Sequence, residues 1–295
     1  MRVERAARGF PLSINLVQAR ALPRTAVSSR GARRPLEWLL RPLYRLYETR
    51  LLRQISQGPV PRHIGIVLDG NRRYAARAGW GGAQDAYRIG AQKLDEVIAW
   101  CRMCGIPAVT LWVFSTDNLA RPRDEVDGIM AAIEGKMRAL ATDPELHAQR
   151  VRVRAIGRLD QLPESTREII HQAEAATAAY DGMLLHIAIA YGGREEIADA
   201  VRDMLVRDAG DGLTLTQAAA AVTPERIARH LYLADAPEPD LIIRTSGEVR
   251  LSGFLLWHSA RSEFYFSDVL WPAFRRVDFL RALRAFQQRT RRFGR

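Results

Sequence analysis

The amino-acid sequence predicts an α/β protein with a central, mostly parallel sheet flanked by helices. Beyond residue 59, short apolar runs alternate with longer helical patterns, the order that builds strand-helix-strand units. One run, Leu184 to Ala190, is apolar apart from His186 and does not alternate, as expected of a strand covered on both faces. Four of the predicted strands end in polar segments, three of them glycine-bearing, and open parallel sheets bind ligands at that edge.

Taken in order, residues 1 to 34 mix Arg, Ala, Ser and Pro without sustained periodicity and are expected to form a disordered basic arm, for which an Arg-rich presequence is the alternative reading. Residues 35 to 57 carry Trp38, Leu39, Leu40, Leu43, Tyr44, Tyr47, Leu51, Leu52 and Ile55 at helical spacing with arginines between them, an amphipathic helix. Such a stripe either packs on the domain, which is the expectation, or lies on an anionic membrane surface. Strands are expected at His63 to Leu68, Ala108 to Phe114, Val151 to Ile156, Leu184 to Ala190 and Asp240 to Arg244. Helices are expected at Asp85 to Cys104, Glu125 to Leu140, Glu164 to Ala179, Glu195 to Val206 and Val277 to Arg291, so residues 58 to 295 form one catalytic-sized domain.

Composition narrows the function classes. At 295 residues and 47% hydrophobic the chain has ample core material, yet charges punctuate every apolar run, so no span of roughly 18 residues suits a membrane crossing. A cytoplasmic protein is expected, with peripheral contact at the inner membrane face through residues 35 to 57 as the alternative placement. The net charge of +11 suggests an anionic partner. Twelve arginines against three glutamates put +9 of it in residues 1 to 53, and no recognition motif accompanies them, which argues against nucleic acid. Cys101 and Cys104 lack a second Cys or His pair to complete a zinc set and read as reduced helix residues. His63 reads as a strand-start residue rather than a base.

The polar strand ends carry the chemistry. The first is Asp69-Gly70-Asn71-Arg72-Arg73; the second is Ser115-Thr116-Asp117-Asn118 with Arg121 following. The fourth strand ends in Tyr191-Gly192-Gly193-Arg194, and the fifth runs from Arg244 through Gly247 to Glu248, Arg250 and Ser252. Glycines allow close backbone approach to a ligand, and the arginines supply forked donors that match phosphate oxygens. Asp69 and Glu263 are acidic candidates for a divalent metal that bridges to phosphate. No Gly-x4-Gly-Lys-Ser/Thr loop and no Gly-x-Gly-x-x-Gly turn is present, which excludes the common nucleotide motifs. Diphosphate and magnesium without a nucleophile suit ionisation of an allylic diphosphate, with an apolar pocket sheltering the cation.

The runs Pro61 to Arg73 and Phe114 to Pro122, with Arg244 to Trp257 continuing through Glu263-Phe264-Tyr265-Phe266 to Leu270-Trp271-Pro272, resemble the cis-prenyltransferase family that includes undecaprenyl diphosphate synthase. The resemblance spans about residues 60 to 295 and implies that fold, with an apolar product tunnel, a homodimer, Mg2+, and isopentenyl and allylic diphosphates as substrates. It implies that Asp69 holds the metal and assists loss of the allylic diphosphate, that Gly70, Asn71, Arg72 and Arg73 cradle that diphosphate, and that Asn118 serves proton removal or its relay. It assigns Arg194, Arg244, Arg250 and Ser252 to isopentenyl diphosphate and Glu263 to the metal, and it reads Arg292 and Gly294 as a tail reaching the partner's phosphate site. Tyr74, Tyr87, Ser115, Thr116, Asp117 and Arg121 fall in or beside the matched loops as further substrate-binding candidates.

Departures from the family pattern fall at Arg72, where Gly is usual, Tyr74, where Trp is usual, Ala83, Tyr87 and Arg261. Val113 stands where long-chain members resemble Ala, and a larger residue there shortens the tunnel, which points to a short product such as Z,E-farnesyl diphosphate. A long-chain product, an irregular lavandulyl-type coupling and a non-catalytic partner subunit are the alternatives, the last disfavoured by the intact Asp-Gly-Asn loop.

Overall fold

The computed structural model describes residues 34–80 and 84–289. The arm expected before residue 35, apart from Arg34, lies outside them, as do Ala83, Arg292, Gly294 and the side chains of Trp38, Leu39, Leu40 and Leu43. Two compact units divide the chain, 1–43 and 44–295. The described part of the first is the opening turns of helix α1 (Arg34–Ile55).

The second unit holds the last turns of α1 and a six-stranded sheet. Its strands are β1 (His63–Val67), β2 (Ala108–Trp112), β3 (Val151–Ile156), β4 (Met183–Ala188), β5 (Leu241–Arg244) and β6 (Glu263–Phe266). They lie in the order β3-β4-β2-β1-β5-β6, and every neighbouring pair is parallel. The sheet is therefore wholly parallel among the described strands, in keeping with the largely apolar run from Leu184 to Ala190. The helices are α2 (Asn71–Arg77), α3 (Gln84–Met103), α4 (Arg123–Thr142), α5 (Pro144–Ala148), α6 (Glu164–Thr177), α7 (Gly193–Gly210), α8 (Leu215–Ala220), α9 (Pro224–Ala228) and α10 (Arg276–Gln288). Each of the five expected helices beyond residue 59 is present within a few residues of its expected ends. β6 was not expected as a strand: it is a half-exposed edge whose Phe264 and Phe266 stack on each other, so no buried apolar run marks it.

Side chains alternate between the two faces of the sheet. Ile64, Ile66, Val109, Leu111, Leu185, Ile187, Leu241 and Ile243 enter a large core with α3, α4, α6 and α10. Val67, Ala188 and Ile242 point the other way, into a smaller cluster with Tyr191, Leu233, Phe254 and Leu255. Leu51 and Ile55 of α1 are buried in the large core, and Glu48 accepts from Arg276 Nε at 3.1 Å. The C-terminal turns of the amphipathic helix thus pack on the domain. No helix among the described residues is long and apolar enough to cross a membrane.

His63 is structural. Its Nδ1 donates to the Pro237 carbonyl at 2.6 Å, its Nε2 accepts from Thr110 at 2.8 Å, and Thr110 continues to His186 at 3.5 Å. Burial depresses His63 to about 4 and His186 to about 3, so both are neutral in the fold. The unfolded chain takes up those protons near pH 6.5 and the folded chain does not. Stability is therefore full above about pH 6.5 and falls as pH drops toward 4, by about 3 kcal/mol for His63 alone. Imidazole NMR at pH 5.5 should show both rings neutral in the folded protein; a midpoint above pH 6 for either would contradict this account. Cys101 and Cys104 are free, and burial raises both thiols, Cys104 to about 12, so they behave as inert packing residues.

Candidate active site

The strand order reverses at β1, which sends its connection toward β2 on one side and lies against β5 on the other. Such a switch point opens a crevice at the carboxyl ends of the strands. Asp69, two residues past β1, and Arg244, the last residue of β5, meet there: Arg244 Nη2 donates to Asp69 Oδ2 at 2.8 Å. Arg244 Nη1 reaches the Arg250 carbonyl at 2.7 Å and Ser252 Oγ at 2.8 Å. One buried guanidinium therefore ties the first strand-end loop to the 246–253 loop. Thr245 Oγ1 donates to the Asp69 carbonyl at 2.7 Å, and Trp271 N donates to the same oxygen at 3.0 Å.

Burial alone would raise the Asp69 carboxyl. The hydrogen bond from Arg244, with the charges of Arg244 and Arg73, outweighs it and holds the group below the usual carboxylate value. Asp69 is thus ionised at neutral pH. Arg73 lies 3.6 Å from Asp69 and 3.4 Å from Glu248, which also pairs with Arg250 at 2.9 Å. Three buried polar atoms around this point lack a hydrogen-bond partner: Asn71 Oδ1, Arg244 Nε and Ser246 Oγ. Buried polar groups are normally satisfied, so unpaired ones grouped beside an ionised carboxylate mark a place for a polar ligand. An ionised carboxylate with nearby hydroxyl and carboxamide oxygens is a donor set suited to Mg2+, which takes one or two carboxylates and completes its shell with water and substrate phosphate.

The other strand-end loops join this crevice. Ser115 and Tyr191 form an isolated parallel bridge that couples the loops after β2 and β4. Thr116 N donates to the Tyr191 carbonyl at 3.2 Å, and Asn118 Oδ1 accepts from Ser115 N at 3.1 Å, which fixes the 3-10 turn holding Asp117. Gly193 comes so close to the 246–253 loop that an added Cβ would lie 2.2 Å from the Gly253 carbonyl. That contact brings the start of α7, which carries exposed Arg194, against the loop that holds Arg250 and Ser252. Ser246 and Ser252 have φ of 84° and 53°, left-handed conformations that cost energy in non-glycine residues and collect at functional loops. Gly70 has φ of 111° with Leu270 packed where a Cβ would stand, so no other residue fits the turn after Asp69.

Sequence reasoning did not single out Glu125. It accepts from Tyr87 at 2.6 Å and Arg121 at 2.8 Å, and Arg72 lies 3.8 Å away. Three of the predicted residues on three different elements are thus gathered by one carboxylate, and Arg72, a departure from the family pattern, extends from α2 toward α4. Burial and the Glu125 hydrogen bond push the Tyr87 hydroxyl up, so it stays protonated and serves as a donor. Nothing in the sequence marked Glu125 except its place four residues after Arg121.

Glu263 is the exception. It pairs in register with Leu241, at the opposite end of β5 from Arg244, and accepts from Arg289 at 2.5 Å. Asp69 lies beyond the Val67–Arg244–Phe266 level, so the two carboxylates are separated by about 16 Å along the strand direction. One chain does not bring the expected acidic pair together, because the parallel register of β6 puts its first residue at the amino edge of the sheet. Among the described residues no group of three or more metal-ligating side chains occurs.

An apolar cavity with about 510 Å³ of empty volume, counted to its open mouth, lies between the sheet, α3 and α4. Asn71, Tyr87, Gly90 and Trp271 stand at its polar head; Val113, Leu94, Ile133 and Ile187 line its body. Gly90 is required there, since a Cβ would lie 2.5 Å from Asn71 Oδ1.

A parallel α/β sheet with an ionised carboxylate and several arginines at its switch point, opening on an apolar cavity, defines an enzyme for substrates with a phosphorylated head and a hydrophobic tail. Residues 67–294 match the family described as "Putative undecaprenyl diphosphate synthase". An isoprenyl transferase of Thermus thermophilus is 53% identical over 257 residues, covering 87% of this chain and 97% of that protein. The (2Z,6E)-farnesyl diphosphate synthase of Thermobifida fusca is 51% identical over 253 residues, covering 86% and 97%. The crystal structure of lavandulyl diphosphate synthase from Lavandula x intermedia, in complex with dimethylallyl diphosphate, superposes with a TM-score of 0.73 at 33% identity, over 80% of this chain and 99% of that one. The chain belongs to the undecaprenyl diphosphate synthase family of cis-prenyltransferases and is a prenyltransferase of isoprenoid biosynthesis.

Proposed function

We propose that the chain condenses isopentenyl diphosphate with a geranyl or dimethylallyl starter to a short Z-prenyl diphosphate, with Z,E-farnesyl diphosphate as the principal product. The observation that carries this reading is the junction of the Asp69–Arg244 crevice with an apolar cavity that Val113 helps to line. The crevice offers donors for diphosphate, and the cavity takes the growing tail. The identity to a (2Z,6E)-farnesyl diphosphate synthase supports the same length.

In this reading Asn71, Arg72 and Arg73 hold the allylic diphosphate over the cavity head. Arg194, Arg250 and Ser252 hold isopentenyl diphosphate across the crevice, and buried Arg244 fixes the loop that presents two of them. Asn118, anchored through Ser115, lies on the turn beside the joining carbons for the proton that must leave. Asp69 holds Mg2+, which when bound neutralises charge on the departing diphosphate. The apolar wall of Leu68, Val113 and Ile187 excludes water from the allylic cation. Glu263, remote from Asp69 in its own chain, serves a metal only across the homodimer that the family resemblance implies. The protein acts in the cytoplasm, and among the described side chains of α1 exposed Tyr44 and Leu46 could serve peripheral membrane contact.

Radiolabelled isopentenyl diphosphate supplied with dimethylallyl, geranyl or farnesyl diphosphate tests the reading. Geranyl diphosphate should be extended once, to a C15 Z-product. A C50 product would overturn the short-chain assignment, and a branched product from two dimethylallyl units would replace regular elongation with lavandulyl-type coupling.

A further inference from the structure

One residue lining the apolar cavity carries a charge. Lys136 stands in α4 at a position where the stripe of Ile129, Ile133, Met137 and Leu140 calls for an apolar residue. Its side chain is 9% exposed and its stem lines the cavity, while its ammonium pairs with Asp95 of α3. Asp95 is 52% exposed and does not line the cavity. The lysine therefore lays its methylenes across the cavity and delivers its charge to the surface on the other side.

The pair has a defined depth. α3 and α4 each begin near the carboxyl edge of the sheet, where Tyr87 and Glu125 join them at 2.6 Å. Lys136 and Asp95 join the same two helices farther down. Eight residues separate Tyr87 from Asp95 and eleven separate Glu125 from Lys136, rises of about 12 and about 16 Å. An extended five-carbon unit, built from single bonds of about 1.5 Å, adds roughly 5 Å. The interval holds about three such units.

We propose that Lys136, tethered by Asp95, is the floor of the product cavity and stops chain growth at three isoprene units. This rests on the prenyl-transfer reading above and adds the residue that sets its product length. Val113 lies directly after β2, on the sheet side, and narrows the body of the cavity; Lys136 closes its lower end. A longer chain would have to push the lysine stem aside, which pulls the ammonium from Asp95 into apolar surroundings.

The test is binding of non-ionisable thiolodiphosphate analogues with C5, C10, C15 and C20 tails, measured by calorimetry with magnesium. For the unaltered protein, affinity should rise to C15 and fall at least tenfold at C20. Lys136→Ala should bind C20 within threefold of C15. Asp95→Ala should shift the profile in the same direction, a change that altered volume alone does not produce because Asp95 is outside the cavity. Asp95→Ala also carries the test if Lys136→Ala does not fold. Products made from geranyl and isopentenyl diphosphates should lengthen by one or more C5 units in both variants. C20 binding as tight as C15 in the unaltered protein, or an unchanged length profile in both variants, would overturn the floor. Length-selective binding without prenyl transfer would uphold the floor and sink the transferase reading, whereas transfer to C15 without length selectivity would do the reverse.

Discussion

Asp69→Ala is expected to lower kcat by about a thousandfold or more while leaving the fold intact. The carboxylate faces the switch-point crevice and is held ionised there by Arg244 and Arg73. Its side chain is 30% exposed, and the backbone of Asp69 is fixed independently by Thr245 and Trp271, so its loss does not unravel the loop. The structural cost is one unpaired buried donor on Arg244, about 1–2 kcal/mol. Steady-state kinetics at saturating magnesium, paired with circular dichroism and sedimentation, measure both effects. Near-normal turnover by a folded Asp69→Ala protein would remove Asp69 from the mechanism.

Arg244→Lys is the second large effect, although it keeps the charge. Arg244 is 7% exposed and serves three acceptors at once, Asp69, the Arg250 carbonyl and Ser252, from the two ends of a planar fork. An ammonium is a point donor and cannot span that geometry. The 246–253 loop, held in part by left-handed Ser246 and Ser252, then loses its anchor. We expect kcat/KM for isopentenyl diphosphate to fall by roughly a hundredfold or more. In Arg244→Ala, burial of Asp69 is no longer opposed by the Arg244 hydrogen bond and charge, so its carboxyl moves up. The ionised form is then lost at a higher pH as the solution is acidified, and the acid limb of the pH profile should shift upward. An unshifted limb would show that Asp69 is ionised by something other than Arg244.

Much of this arrangement was legible before any coordinates. The Asp69, Ser115, Tyr191 and Arg244 segments announced themselves because polar residues and glycines directly follow apolar strands, and a parallel sheet puts all such ends on one edge. His63 and the cysteines were legible as packing residues because no partner set accompanied them. Glu125 was not legible, because a carboxylate in the first turn of a helix is an ordinary feature until folding brings Tyr87 and Arg72 to it. Glu263 shows the converse. Its residue type suited a metal, but strand register sent it to the far edge of the sheet.

The sequence by itself determined the alternation of strands and helices, the largely apolar strands suited to burial in a parallel sheet, and the chemistry of the strand-end loops. Only the tertiary structure decided which of those loops touch, because contact across a sheet depends on strand order and register, which join residues as far apart as Val67 and Thr245, 178 positions along the chain. It also decided the depth of the cavity. Lys136 is an exposed-type residue by composition, and it becomes a floor only because α3 brings Asp95 to the outer side of the same wall, where a long aliphatic stem can cross the cavity and still leave its charge in water.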